Sequence, residues 1–375
     1  MWELIRIDNA GTPWLRLFCQ FGLANQPFVF GSWATADWPA RRRWTTEDGK
    51  PNVQFLRRQY GSSQISLETS ECKYETCRFS DFLDDYENGG QLSKAYLKDW
   101  HFQAEFGTEM YSLHPFCSTD WVNCESFSEQ PEQSPFNGDY RFVYFGVEGT
   151  GTKLHSDVVA SFSWSANICG RKRWFMMPPG KEQVFMENGQ LVEDIRLHND
   201  KFQQAEVIEF TQNPGEIVFV PTGWHHQVHN LDDSISINHN WMNAANIPLV
   251  VEFILKRRID VQNELEDSKS LFTPEEFQEQ IELVLFADTR LSIARLRSLL
   301  LHIQQTRSQP LATSKCYVCP LHLHDIIQCY RNPSCHDRIF SLCSCSTSRC
   351  AICSEFVSSF ELTSAGLMLD KLDQN

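Results

Sequence analysis

His155-Ser156-Asp157 sets an imidazole and a carboxylate two residues apart. On a β-strand, positions i and i+2 project to the same face, so both groups can aim at one point. Two donors hold a divalent metal poorly. A third must come from another strand, and Trp224-His225-His226-Gln227-Val228 offers it shortly after Pro221. Two imidazoles and one carboxylate on one octahedral face leave three positions open, which suits non-haem Fe(II) oxygenases that bind a chelating cosubstrate beside O2. A lone His-x-Asp carries little weight, because a buried, hydrogen-bonded histidine is the commoner meaning of any single His. Its neighbours add to it. Lys172 sits in Arg171-Lys172-Arg173, which alone reads as a surface run, but its ammonium suits a cosubstrate carboxylate in a charge-assisted pair. Thr152 offers a hydroxyl to the same carboxylate, and Asn238 and Asn240 could contact the other end.

These groups need strands to position them. Tyr140 to Gly146, Ser161 to Ile168, Arg171 to Met177, Glu216 to Val220 and Ser234 to Trp241 read as short strands. Gly170, Pro178-Pro179 and Asn213-Pro214-Gly215 punctuate them. Ser161 to Ile168 alternates small polar with apolar residues. Many short strands without intervening helices predict a mainly β fold, a double-stranded β-helix of the jelly-roll or cupin-like kind. Residues 1–135 read as an N-terminal α/β cover and 136–245 as the core. From 246 to 307 the period becomes helical: Ile247 to Leu265, a helix opened by Thr273-Pro274-Glu275-Glu276, and Leu291 to Ile303.

Composition narrows the function classes. The 375 residues are 42% hydrophobic and 22% charged, which excludes a fully disordered or collagen-like chain. The net charge of −15 argues against direct nucleic-acid binding and fits a basic protein target better. Arg41-Arg42-Arg43, the one dense basic run, reads as a solvated face. No stretch reaches the roughly 18 apolar residues a membrane span needs. Arg6, Asp8 and Arg16 interrupt any N-terminal apolar run, so the expectation is a cytoplasmic protein whose fourteen cysteines are mostly thiols.

The sequence resembles the jumonji-C (JmjC) family of Fe(II)- and 2-oxoglutarate-dependent dioxygenases. The resemblance is carried by His155-Ser156-Asp157, Gly170-Arg171-Lys172-Arg173-Trp174, Pro178-Pro179-Gly180, Pro214-Gly215-Glu216, Val220-Pro221 with Gly223-Trp224-His225-His226, and Ile235 through Trp241. Arg41 to Trp44, Tyr96 to His101, Tyr140 to Tyr144, Ser163 to Asn167 and Gly223 to Leu231 are similar to one subfamily, that of jumonji-domain-containing protein four. The resemblance implies Fe(II), 2-oxoglutarate and O2 as cofactor and cosubstrates. It implies a protein lysyl hydroxylase acting on the eukaryotic translation termination factor. His155, Asp157 and His226 should hold the iron, and Lys172, with Thr152, the 2-oxoglutarate side carboxylate. His226 is preferred over His225 because the family's ligand lies five residues after the proline, here Pro221. His225 is then a wall residue, and His229 and His239 are structural.

Two other readings of the iron site stay open: an N-methyl-lysine demethylase and a non-catalytic cupin-like scaffold. The remaining cysteines cluster. Cys316-x-x-Cys319 and Cys350-x-x-Cys353 have zinc-ligand spacing, with Cys343, Cys345, His322, His324 and His336 between or beside them. Over 308–375 a small zinc module, reduced thiols in a helical end and an unordered tail compete.

Overall fold

The computed structural model describes residues 4–12, 14–69, 73–123, 139–307 and 364–374. The cysteine-rich segment, including Cys316, Cys319, Cys350 and Cys353, lies outside them. The strands in chain order are β1 (Ile5–Ile7), β2 (Phe28–Phe30), β3 (Gln64–Glu68), β4 (Tyr74–Arg78), β5 (Tyr96–Trp100), β6 (Arg141–Gly146), β7 (Gly151–His155), β8 (Phe162–Cys169), β9 (Lys172–Met177), β10 (Met186–Glu187), β11 (Gln190–Leu191), β12 (Ile208–Gln212), β13 (Ile217–Val220), β14 (His225–Asn230) and β15 (Ser234–Trp241). Nine form a major sheet in the order β1-β2-β13-β8-β15-β6-β5-β3-β4, and four form a minor sheet, β12-β9-β14-β7. Apart from the parallel β1–β2 pair, neighbours in both sheets run antiparallel. This is the mainly β, jelly-roll-like architecture the short strands foretold, with helices at both ends.

Side-chain parity decides which residues face the space between the sheets. On β9, Trp174 and Met176 pack with Val228 of β14 and with Val29, Val218 and Val220 of the major sheet. Their neighbours Phe175 and Met177 project oppositely and build a separate cluster with Leu154, Phe185 and Ile195. Lys172 shares the parity of Trp174 and is therefore buried. In the major sheet, Phe162, Trp164, Ala166 and Ile168 of β8, and Ile235, Ile237 and Trp241 of β15, enter the largest apolar core. Their alternates Ser163, Ser165, Asn167, Ser236, Asn238 and Asn240 thus turn toward the minor sheet. A small polar face can line a site without filling it, whereas an apolar face would collapse onto it.

Gly170 makes the β8–β9 turn at φ +71, and a Cβ there would meet the Asp233 carbonyl oxygen at 2.3 Å. Only glycine accepts both the left-handed backbone and that approach. The helices beyond β15 follow their sequence signals. Ile247–Leu265 has proline in its first turn, and Pro274–Thr289 opens with a full capping box between Thr273 and Glu276. Phe277 and Ile281 pack against Val261, while Leu285 reaches the main core. The helix starting at Ile293 buries Leu296, Leu299, Leu300 and Ile303, and Ala365, Leu369 and Leu372 of the last described segment join the same core.

The basic run is only partly solvated. Arg42 and Arg43 are exposed, but Arg41 turns inward and donates to the Ile168 carbonyl. The helix Pro39–Arg43 sets that one side chain against β8, where a buried carbonyl needs a donor. The described free cysteines are Cys19, Cys77, Cys117 and Cys169. Among the described residues no helix is long and apolar enough to cross a membrane.

Candidate active site

The structure brings His155, Asp157 and His226 together, with one donor atom from each lying within 4.8 Å of the others. His155 ends β7, and His226 is its direct cross-strand partner on β14. Their ring centroids are 4.3 Å apart. Asp157 follows β7 and immediately precedes a turn in which Val159 and Ala160 both take positive φ. The Ala160 carbonyl in that turn accepts from the Thr222 hydroxyl at 2.8 Å.

The donor chemistry fits a divalent metal. His155 Nδ1 lies 2.8 Å from the Lys153 carbonyl oxygen, and His226 Nδ1 3.1 Å from that of Trp224. A carbonyl only accepts, so each Nδ1 carries the proton and each Nε2 offers its lone pair. Burial first, then the neighbouring His155, pushes the His226 pKa down to about 4, against the opposing pull of Asp157. His226 is therefore neutral at pH 7, the state a ligand requires. Asp157 is held from the opposite sheet: Ser163 Oγ donates to its Oδ2 at 2.7 Å, and Asn240 Nδ2 donates to its Oδ1 at 2.8 Å. Such outer partners orient ligands and tune their basicity.

Parity separates the two adjacent histidines. His226 shares its face with Val228, which packs between the sheets. His225 projects the other way, with its Nδ1 3.5 Å from Glu182 Oε2. His229 contacts Gln227 Nε2 at 2.7 Å, and His239 meets the Tyr111 hydroxyl at 2.7 Å while lying against Trp164. His229 and His239 thus each have a partner away from the cluster, and His225 faces Glu182.

Lys172 is 2% exposed and its Nζ donates to Ser236 Oγ at 2.7 Å. Burial pushes its pKa down to about 7. Asn238 Nδ2 donates to the same hydroxyl at 3.0 Å. Asn238 thus belongs with Lys172, whereas Asn240 belongs with Asp157. The Thr152 hydroxyl accepts from the Val228 amide at 3.2 Å. A cavity of about 450 Å³ opens onto His155 and Asp157, and Thr152 and Asn240 also line it. Tyr140, then Phe142 and Tyr144 of β6, together with Glu68, Lys98 and Asp99, also line it. Sequence reasoning did not single out Ser163 and Ser236. The polar half of the alternation on β8 and β15 was the signal, but it does not say which serine meets which ligand.

Residues 142–241 match the family described as "JmjC domain, hydroxylase". The chain is 35% identical over 317 residues to "2-oxoglutarate and iron-dependent oxygenase JMJD4" of Danio rerio, covering 79% of this chain and 73% of that protein. It is 39% identical to the Mus musculus protein of the same name over 66% of this chain and 63% of the relative. It is 37% identical to "Arginine-specific demethylase JMJ20" of Arabidopsis thaliana, over 66% of this chain and 59% of that one. The matches to the mouse and Arabidopsis proteins thus span less than two thirds of those relatives' lengths. Fold, donor set and these similarities agree: the chain belongs to the JmjC family of 2-oxoglutarate- and iron-dependent oxygenases.

Proposed function

We propose that this oxygenase is a protein lysyl hydroxylase whose target is the translation termination factor, encountered in the cytoplasm. The observation that carries the reading is the cavity of about 450 Å³ beside His155 and Asp157, lined by the aromatic rings of Tyr140, Phe142 and Tyr144 and by the carboxylates of Glu68 and Asp99. Aromatic faces and acidic groups suit an aliphatic stem ending in a cation.

In this reading His155 Nε2, His226 Nε2 and an Asp157 oxygen hold iron. Lys172, aided by Thr152, holds the distal carboxylate of 2-oxoglutarate, with Asn238 keeping Ser236 oriented. Iron with 2-oxoglutarate and O2 supplies, when bound, the power to convert a C–H bond to C–OH as 2-oxoglutarate goes to succinate and CO2. The chain's own part is placement. Ser163 and Asn240 fix the carboxylate, the Lys153 and Trp224 carbonyls fix the imidazole tautomers, and the apolar cluster around Trp174, Met176 and Val228 keeps water from the inner side.

N-demethylation is the second reading, favoured by the printed name of the Arabidopsis relative. One experiment separates them. The protein is incubated with the termination factor, Fe(II) and 2-oxoglutarate, and the factor is peptide-mapped by mass spectrometry. A gain of one oxygen on a lysine supports hydroxylation. Loss of methyl with formaldehyde release supports demethylation, and an unmodified factor removes it as the target.

A further inference from the structure

We propose that Asp99 selects a cationic side chain, lysine or arginine, and directs it toward the cluster of His155, Asp157 and His226. This rests on the oxygenase reading of that cluster and names a contact which that reading leaves open. The charged groups lining the cavity are not equivalent. Lys98 pairs with Glu68, and both side chains are largely buried. The Lys98 ammonium also stands 5.2 Å from the Tyr96 ring centroid. Lys153 pairs with Glu193. Asp157 is committed to Ser163 and Asn240.

Asp99 differs from all of these. It is exposed, and its Oδ1 accepts a 2.8 Å hydrogen bond from the Tyr144 hydroxyl. Among the described residues no cation is paired with it. A neutral donor on one oxygen fixes the carboxylate and leaves the other oxygen to accept from an ammonium or guanidinium. Backbone geometry sets the aim. The β5–β6 register breaks between Leu97 and Trp100, and Asp99 takes φ +54 within that break. A bulge re-aims a side chain, and aspartate is one of the few residues that tolerates the left-handed region.

Position completes the argument. Asp99 lines the metal-side cavity and also a second cavity of about 460 Å³ that includes Gln64, Trp100 and His101. Asp99 is therefore common to the lining of both spaces. A polypeptide crossing the second cavity can drop one side chain past Asp99 into the first. There Phe142 and Tyr144, alternate residues of β6, flank its aliphatic stem.

The test uses the full chain, with and without Mn(II) and 2-oxoglutarate, under anaerobic conditions. The probes are fluorescent peptide pools with randomised flanks and a central lysine, arginine or norleucine. The wild-type protein should bind the lysine and arginine pools about tenfold or more tightly than the norleucine pool, the worth of a charge-assisted contact. Asp99→Asn keeps the φ-tolerant backbone and should erase that preference while norleucine-pool binding and Mn(II) affinity stay within about twofold. The assignment is overturned if the wild type shows no preference, if Asp99→Asn retains it, or if the variant loses norleucine-pool and Mn(II) binding as well. A wild type that binds no Mn(II) sinks the oxygenase reading instead, because the cation preference is also read without metal.

Discussion

The Lys172 ammonium of β9 donates to Ser236 Oγ of β15 across the gap between the two sheets, at 2.7 Å. A hydroxyl satisfies one of the three ammonium protons. Burial without a countercharge holds the pKa near 7, against an ordinary value of 10.5.

A pH dependence follows. A dicarboxylate needs the protonated lysine, and the free protein loses that proton as pH rises through about 7. The dissociation constant for 2-oxoglutarate should therefore climb by up to about tenfold per pH unit above 7. Lys172→Met should bind far more weakly and show a flat profile. Stability of the ligand-free protein has its own slope. Between about 7 and 10.5 the unfolded lysine is protonated and the folded one is not, so stability rises with pH across that window. Calorimetric titration and denaturant melts at several pH values check both, and a pH-independent affinity in the wild type would remove Lys172 from the anion site.

Ser163→Ala and Asn240→Ala each delete one hydrogen bond to Asp157. Each should lower Mn(II) or Fe(II) affinity by roughly 10–100-fold, the usual worth of an outer partner. Anaerobic metal titration reads this directly. Wild-type affinity in both variants would mean that Asp157 needs no external orientation, or ligates nothing.

His155→Ala and Asp157→Ala should abolish turnover of 2-oxoglutarate to succinate while the metal-free proteins keep a wild-type far-ultraviolet spectrum. Both residues are only partly buried, so neither truncation opens a core cavity. Excess metal at 100 times its dissociation constant should stabilise the wild type by about 2.7 kcal/mol and these variants not at all. Activity in either variant falsifies the metal assignment.

Gly170→Ala places a methyl group 2.3 Å from the Asp233 carbonyl oxygen on a backbone at φ +71. Strain of this kind costs about 1–3 kcal/mol, and the clash adds to it. The urea midpoint should fall with little change in slope. A midpoint equal to that of the wild type would show that the β8–β9 turn relaxes freely.

Much of the site was legible because it is written in period two. The strand at β9 carrying Lys172 and the polar alternation on β8 and β15 depend only on which face a residue takes; the His155-x-Asp157 pair was legible by spacing, although Asp157 lies just past the end of β7 and converges with His155 through the turn that follows. His226 rather than His225 was read from a family resemblance, yet parity with Val228 leads to the same residue once the strand's inward face is known. The partners of each ligand were not legible. Ser163 and Ser236 are equivalent serines until the β8–β15 register and the spacing of the sheets are fixed. Asp99 was invisible for a further reason. Its aim comes from a break in strand pairing, and a single Asp in Tyr96-Leu97-Lys98-Asp99-Trp100 carries no mark of that break.

Both imidazoles belong to the minor sheet, whereas the carboxylate between them is steadied by Ser163 and Asn240 of the major one. A bound ion would act as a rivet between two walls, and its coordination sphere would gauge the gap that separates them. Substitutions in the packing of Val29 or Val218 can then alter occupancy of the centre by changing the thickness of the sandwich without replacing a ligand.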